Sequence, residues 1–315
     1  MTDSTFVNFD GTIPLQEVEH PGVAICNINK ISKKRAYEFA KKLSPLIKEN
    51  NITAIMEDIK LIGNLYNFNN YGEERFEKVQ EMLDKYDGEI NFYDPTGQII
   101  ELTTPCEEIL QKCRWNSQNY PCEDIFLTRM TFDGVCCVFN YIRPSERASL
   151  YINQNRHAVP SEPEVSHGSG MQYGLEVVLN NDVDDYFYPT LETTGFKVHF
   201  FHCKDFPDVL SGSLKEYLVD VGKRILFNIE VDVIRSTPQI KSIPIHSRKC
   251  MFDSEANTSF GAYRQSDCFV ECKMRSMQAL CNCVPFVMPI EPESSKFCSV
   301  CTLTDIPCGK QYFRT

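Results

Sequence analysis

An α+β fold follows from three features of the chain. A helical period runs through residues 33 to 114, and a period of two runs through residues 131 to 245. The helical block also lies between two sheet segments, so it reads as an excursion from one sheet within a single domain, 1–315. With 42% hydrophobic and 24% charged residues, the composition is that of an ordinary globular protein able to bury a core.

The first strand is read in GVAICNI, where Val23, Ile25 and Asn27 alternate with Ala24, Cys26 and Ile28, inside an extended stretch from about Thr12 to Ile28. The helical block follows. Ala36, Phe39, Ala40, Leu43 and Ile47 share one face, and Phe76, Val79, Met82, Leu83 and Tyr86 share another. Thr104-Pro105-Cys106-Glu107 has the form of a capping box with proline at the first helical position, opening a helix with Ile109, Leu110 and Cys113 inward. Beyond Thr131 the clearest strand is RILFNIEVDVI, with Ile225, Phe227, Ile229, Val231 and Val233 on one face. GLEVVLN from Gly174 and GFKVHFFH from Gly195 flank the acidic loop NNDVDDYFYP. A helix returns around Ala262 to Leu280, and residues 284 to 315 form a Pro-, Ser- and Cys-rich loop.

The formal net charge of -11, with no basic tract to offset it, argues against nucleic acid as a partner and makes small cations the more natural one. No stretch approaches the roughly eighteen apolar residues of a membrane helix, and no signal-peptide pattern opens the chain. Fifteen cysteines exceed what a reducing compartment rewards and place the chain outside the cell; the odd count leaves at least one unpaired within it. Two glycosylation sequons, at Asn51 and Asn257, fit that location.

The segment CFVECKMRSMQALCNCVP carries Cys268, Cys272, Cys281 and Cys283 as C-x3-C-x8-C-x-C, open to a metal, redox or crosslinking role. Zinc could draw on these four, with Cys298, Cys301 and Cys308 as further ligands, but zinc favours paired C-x2-C knuckles, and Cys281-Asn282-Cys283 is tight for two ligands on one tetrahedral ion. Cys298-Ser299-Val300-Cys301 has redox spacing without the helix that would lower a thiol pKa. His199 and His202, three apart on a strand, point to opposite faces and do not chelate one ion. Gly168-Ser169-Gly170 with Gly174 feeds a strand instead of a helix, and no nucleophile elbow or H-E-x-x-H is present, so an enzyme is not expected and no cofactor is called for. Asp182, Asp184, Asp185 and Glu192 could meet a cation or titrate if crowded, although a solvated turn is the default.

Read in order, the fragments resemble one family. HPGVAICNIN, from His20, is similar to the F-P-x-V-T-x-C-N segment that follows the first membrane helix of degenerin/epithelial sodium channel subunits. CRWNSQNYPC followed by TFDGVCCVFN resembles the cysteine run of the insect pickpocket branch. YGLEVVLN, GFKVHFFHCKDFP, SRKCMF and YRQSDCFVECKMRSMQALCNCVPFVMP continue in the family's order, so that the resemblance covers essentially the whole chain.

That resemblance implies a disulfide-rich channel ectodomain: a first palm strand in 1–30, a mostly helical finger in 31–130, palm and β-ball sheet in 131–249, and the start of a helical thumb in 250–315. It implies the bridges Cys26–Cys136, Cys113–Cys122, Cys283–Cys298 and Cys281–Cys308, with the partners of Cys250, Cys268 and Cys272 in a segment further on. Cys106, Cys137, Cys203 and Cys301 are left with three possible connectivities. Strand alternation in GVCCVFN sends Cys136 and Cys137 to opposite faces, so one of them bridges to Cys26, and the family pattern favours Cys136. The implied function is the sensing and gating region of a sodium-selective, amiloride-sensitive channel that assembles as homo- or hetero-trimers on the extracellular face of the plasma membrane, conducts sodium through membrane helices outside this chain, and answers a ligand or force. Asp184 and Asp185 resemble an acidic stretch of proton-gated members, whereas Ser247 stands where those members carry a tryptophan. The rival readings are a secreted disulfide-rich binding protein without a pore and an intracellular zinc-binding protein.

Overall fold

The computed structural model describes residues 13–66, 81–82, 84–86, 95–143, 162–209, 212, 214–289, 300–302, 305 and 308. In chain order its strands are β1 (Gly22–Asn27), β2 (Asn29–Ser32), β3 (Leu110–Trp115), β4 (Gln118–Tyr120), β5 (Phe126–Thr131), β6 (Gly134–Phe139), β7 (Glu176–Leu179), β8 (Tyr186–Pro189), β9 (Phe196–Phe201), β10 (Lys215–Val219), β11 (Asn257–Thr258) and β12 (Gly261–Ala262). The helices are α1 (Lys33–Ile47), α2 (Ile52–Lys60), α3 (Thr96–Leu102), the single turns α4 (Cys106–Ile109) and α5 (Cys122–Ile125), α6 (Ile245–Arg248) and α7 (Gln265–Cys281).

The main sheet is antiparallel, in the order β10-β9-β1-β6-β5. β1 lies in its middle and every residue of it is buried, because both faces of the sheet are covered. One face presents Val23, Ile25, Phe126, Cys137, Phe139, Phe196 and Val198 to a layer built around β3. The other presents Ala24, Cys26, Cys136, Val138 and Phe201. The turn from β5 to β6 closes on Gly134, whose φ of 91° is a conformation that suits glycine, and Asp133 sits at its tip.

β6 carries two adjacent crosslinks. Cys136 joins Cys26 of β1, and Cys137 joins Cys106 at the start of α4. A third bridge, Cys113–Cys122, closes the β3–β4 hairpin region. β3 also pairs with β7, so GLEVVLN belongs to this smaller sheet and not to the main one.

The helical block packs beside the sheet. Ser32 caps α1 by accepting from the Arg35 backbone N–H, and Ala36, Phe39, Ala40 and Leu43 are buried against Ile55 and Ile59 of α2. Met82 and Tyr86 join the same core; Phe76, Val79 and Leu83 lie outside the described residues. Val270 of α7 and Val284 and Phe286 beyond it also enter this core, which brings the C-terminal helix onto the helical block.

Three sequence expectations are corrected. RILFNIEVDVI is not a strand: it has no ladder partner among the described residues, and Ile225, Leu226, Ile229, Val231, Val233 and Ile234 are exposed, while Phe227 alone stacks on Phe200 and Tyr217. Alternation supplies a face, but a strand forms only where a neighbour satisfies its N–H and C=O groups. The expected helix after Thr104 stops after one turn, with no side-chain cap; Leu110, Cys113 and Trp115 are buried on β3, where pairing to β4 and β7 overrides the helical spacing. The extended reading before β1 holds a 3₁₀ turn at Leu15–Glu17.

Crosslink lengths give the first prediction. Replacing Cys26 and Cys136 together with serine removes a closure of 110 residues and is expected to cost about 4 to 5 kcal/mol, whereas the same change at Cys113 and Cys122, 9 apart, costs about 2 to 3 kcal/mol. Urea unfolding of the two variants checks the order.

Candidate functional site

α7 is fastened to the sheet by ion pairs that cross between elements. Arg143, just beyond β6, donates from one terminal nitrogen to Asp267 Oδ1 at 2.5 Å, and both side chains are buried, 6% and 4% exposed. Arg264, at the head of α7, donates from Nε to Asp205 Oδ1 at 2.7 Å. Lys273, two turns further on, meets Asp208, whose side chain is fully buried. Asp205 and Asp208 lie in the loop that leaves β9, so the helix is held at three points to the ends of two central strands. The Arg143 guanidinium also lies 4.3 Å from the ring centroid of Phe260. Burial raises the Asp267 carboxyl above its ordinary range, although the Arg143 charge and hydrogen bond pull against it.

A second network ties strands together. Asp133, at the hairpin tip, accepts from Lys30 Nζ at 2.6 Å and from Lys197 Nζ at 3.0 Å. Lys197 reaches Glu216 at 3.6 Å, and His199 Nε2 lies 3.0 Å from the same carboxylate. His199 Nδ1 is 3.8 Å from Cys26 Sγ, so the network stands beside the Cys26–Cys136 bridge. Burial alone would raise the Asp133 carboxyl, but the charges of Lys30 and Lys197 outweigh it and hold it below the usual carboxylate range. Burial pushes the Lys30 ammonium down, with Asp133 opposing.

The acidic loop does a structural task. Asp185 is buried and its Oδ1 accepts from the Lys34 backbone N–H at 2.8 Å, while Asp182 pairs with Lys34 Nζ at 2.5 Å. The Asp185 carboxylate thus sits at the N-terminus of α1, where the helix dipole favours negative charge. Asp184 is exposed. Asn51 is exposed and caps α2 through Oδ1, accepting from the Ala54 backbone N–H; Asn257 is exposed on β11.

At the end of α7 the structure joins Cys281 to Cys308 and Cys283 to Cys301. The second bridge corrects the expected Cys283–Cys298 pairing. A β-bridge between Val284 and Val300 sets Cys283 and Cys301 side by side, and the Cys301 N–H donates to the Val284 carbonyl at 2.9 Å. Cys298 lies outside the described residues. Because Cys281 and Cys283 are oxidised, they offer no thiolates to zinc. Cys250, Cys268 and Cys272 are exposed and free, and Cys203 is buried and free. Burial beside the Glu19 carboxylate pushes the Cys203 thiol up to about 12. Glu19, His202 and Cys203 bring their ligand atoms within 4.8 Å of one another, but Lys204 already pairs with Glu19 and the Lys204 N–H donates to His202 Nδ1.

Sequence reading missed the ion pairs. Asp267 in the first turn of α7 and Asp133 before a glycine are each common surface placements, and only their burial marks them.

Two predictions follow from this geometry. Arg143→Met or Asp267→Leu alone strands a buried charge and is expected to cost about 3 to 5 kcal/mol, while the double change costs less than either; a double-mutant cycle in urea checks the sign of the coupling. Asp133 has a depressed folded-state pKa, so its contribution is fully present above the unfolded value of about 3.9 and is lost as pH falls through the lower folded value. Asp133→Asn is therefore expected to lower stability by about 3 to 5 kcal/mol at neutral pH, with the gap to the wild type narrowing as pH drops below about 4, as read from unfolding curves at stepped pH.

The comparisons agree on one family. The sequence profile described as Amiloride-sensitive sodium channel matches residues 1–315. Sodium channel protein Nach of Drosophila ananassae is 27% identical over 310 residues, which cover 96% of this chain and 54% of that protein. Pickpocket protein 28 of Drosophila melanogaster is 28% identical over 236 residues, 67% of this chain and 38% of that protein. The rat epithelial sodium channel subunit gamma is 22% identical over 289 residues, 86% of this chain and 40% of that protein. The chain spans about half or less of the length of these relatives, and no helix among the described residues is long and apolar enough to cross a membrane. With a match that runs from end to end, this chain belongs to the amiloride-sensitive sodium channel family.

Proposed function

We propose that this chain is the extracellular sensing and gating region of a sodium-selective, amiloride-sensitive cation channel subunit, placed on the outer face of the plasma membrane and assembled as a homo- or hetero-trimer. The observation that carries the reading is the family match over residues 1–315. Its relatives are named as sodium channel proteins, which favours a channel over a secreted binding protein or a zinc protein, and over an enzyme.

In this reading the main sheet is the palm and β-ball, the helical block the finger, and α7 the start of the thumb. The exposed thiols of Cys250, Cys268 and Cys272 are to be bridged to cysteines of a longer polypeptide. A ligand or force acting on the finger or on α7 displaces a helix that disulfides at Cys281 and Cys283 keep stiff, and the three ion pairs pass that displacement to β6 and β9. Conduction belongs to membrane helices. In the acidic loop, Asp182 and Asp185 are engaged by Lys34, which leaves Asp184 as the carboxylate most open to an external cation or proton.

Expression of the protein with flanking membrane helices, followed by voltage clamp, tests the proposal. The expected result is a current that disappears when external sodium is replaced by a large organic cation and that amiloride blocks. Surface-expressed protein that passes no sodium current under ligand, acid or stretch would overturn it.

A further inference from the structure

Among the described residues, one buried cation has no counter-charge. Arg129 of β5 lies opposite Cys136, on the sheet face that carries Cys26, Cys136, Val138 and Tyr141. Its side chain is 1% exposed, and none of Nε and the two terminal nitrogens has a hydrogen-bond partner. Its guanidinium carbon is 5.9 Å from the Tyr141 ring centroid, a weak contact that leaves all the N–H donors unused. Among the described residues, other bases at the sheet and its junction with α7 have acids of their own: Arg143 has Asp267, Arg264 has Asp205, Lys273 has Asp208, Lys30 has Asp133, and Lys197 has Asp133 and Glu216. A second terminal nitrogen of Arg143 is buried without a partner as well, and the Tyr141 phenol lies in the field of both guanidiniums. An arginine does not give up its proton, so the unmatched charge persists. An uncompensated buried charge opposes folding strongly.

We propose that Arg129 holds a small monovalent inorganic anion of the halide class, between the sheet and the junction with α7. One unmatched positive charge calls for one negative charge, which disfavours sulfate and phosphate. The near-complete burial of Arg129 excludes the carboxylate of a docked peptide and leaves a bare ion as the smallest counter-charge. This inference does not depend on the channel reading; it concerns the folded domain alone.

The test uses the full oxidised chain in chloride, bromide or gluconate at constant ionic strength. A single site that binds the folded state makes the folding equilibrium constant rise about tenfold for each tenfold rise in halide above its dissociation constant. That dependence is expected in wild type, in chloride and bromide alike, and is expected to vanish in Arg129→Met. Anomalous diffraction from wild-type crystals grown in bromide should show a peak beside the Arg129 guanidinium, a readout that survives failure of the variant to fold. A stability that is indifferent to halide, a halide dependence retained in Arg129→Met, or a guanidinium bonded only to water in the bromide crystals would each overturn the proposal.

Discussion

The adjacency of Cys136 and Cys137 on β6 constrains the rest of the structure. A strand turns successive side chains to opposite faces, so two neighbouring cysteines must be bridged in opposite directions. Cys136 reaches across one face to β1, and Cys137 reaches through the other to the turn before β3. The two bridges clamp the central strands and the overlying layer at a single point. They fix register as well, because a slip of one residue would exchange the two cysteines between faces.

Around that clamp, charge substitutes for apolar contact. Lys30, Asp133, Lys197, His199 and Glu216 join β2, the hairpin tip, β9 and β10 where the sheet meets the first bridge. Arg143, Asp267, Arg264, Asp205, Lys273 and Asp208 join α7 to the strand ends. Buried ion pairs contribute little net stability compared with apolar packing, but an incorrect partner leaves a charge stranded, so they favour particular docking positions over sliding ones.

The apolar cores divide along the same lines. One cluster fills the sheet face toward β3, another joins the helical block to Val270, Val284 and Phe286, and the small cluster of Met277, Cys283 and Cys301 stiffens the end of α7. α7 therefore belongs to the helical block by packing and to the sheet by charge.

Much of this was written in the sequence. The alternation of GVAICNI and GFKVHFFH specified β1 and β9, the stripe from Ala36 to Leu43 specified α1, and cysteine spacing in order carried the family resemblance and with it the pairs that include Cys26–Cys136 and Cys281–Cys308. These are signals of local period and covalent pattern. Tertiary structure alone decided that Cys283 meets Cys301, that Leu110 to Trp115 is strand, that RILFNIEVDVI stays unpaired, and that Asp133, Asp267 and Arg129 are buried. In each of those cases the outcome depends on which distant backbone or charge arrives beside the residue, and a local pattern carries no information about that neighbour.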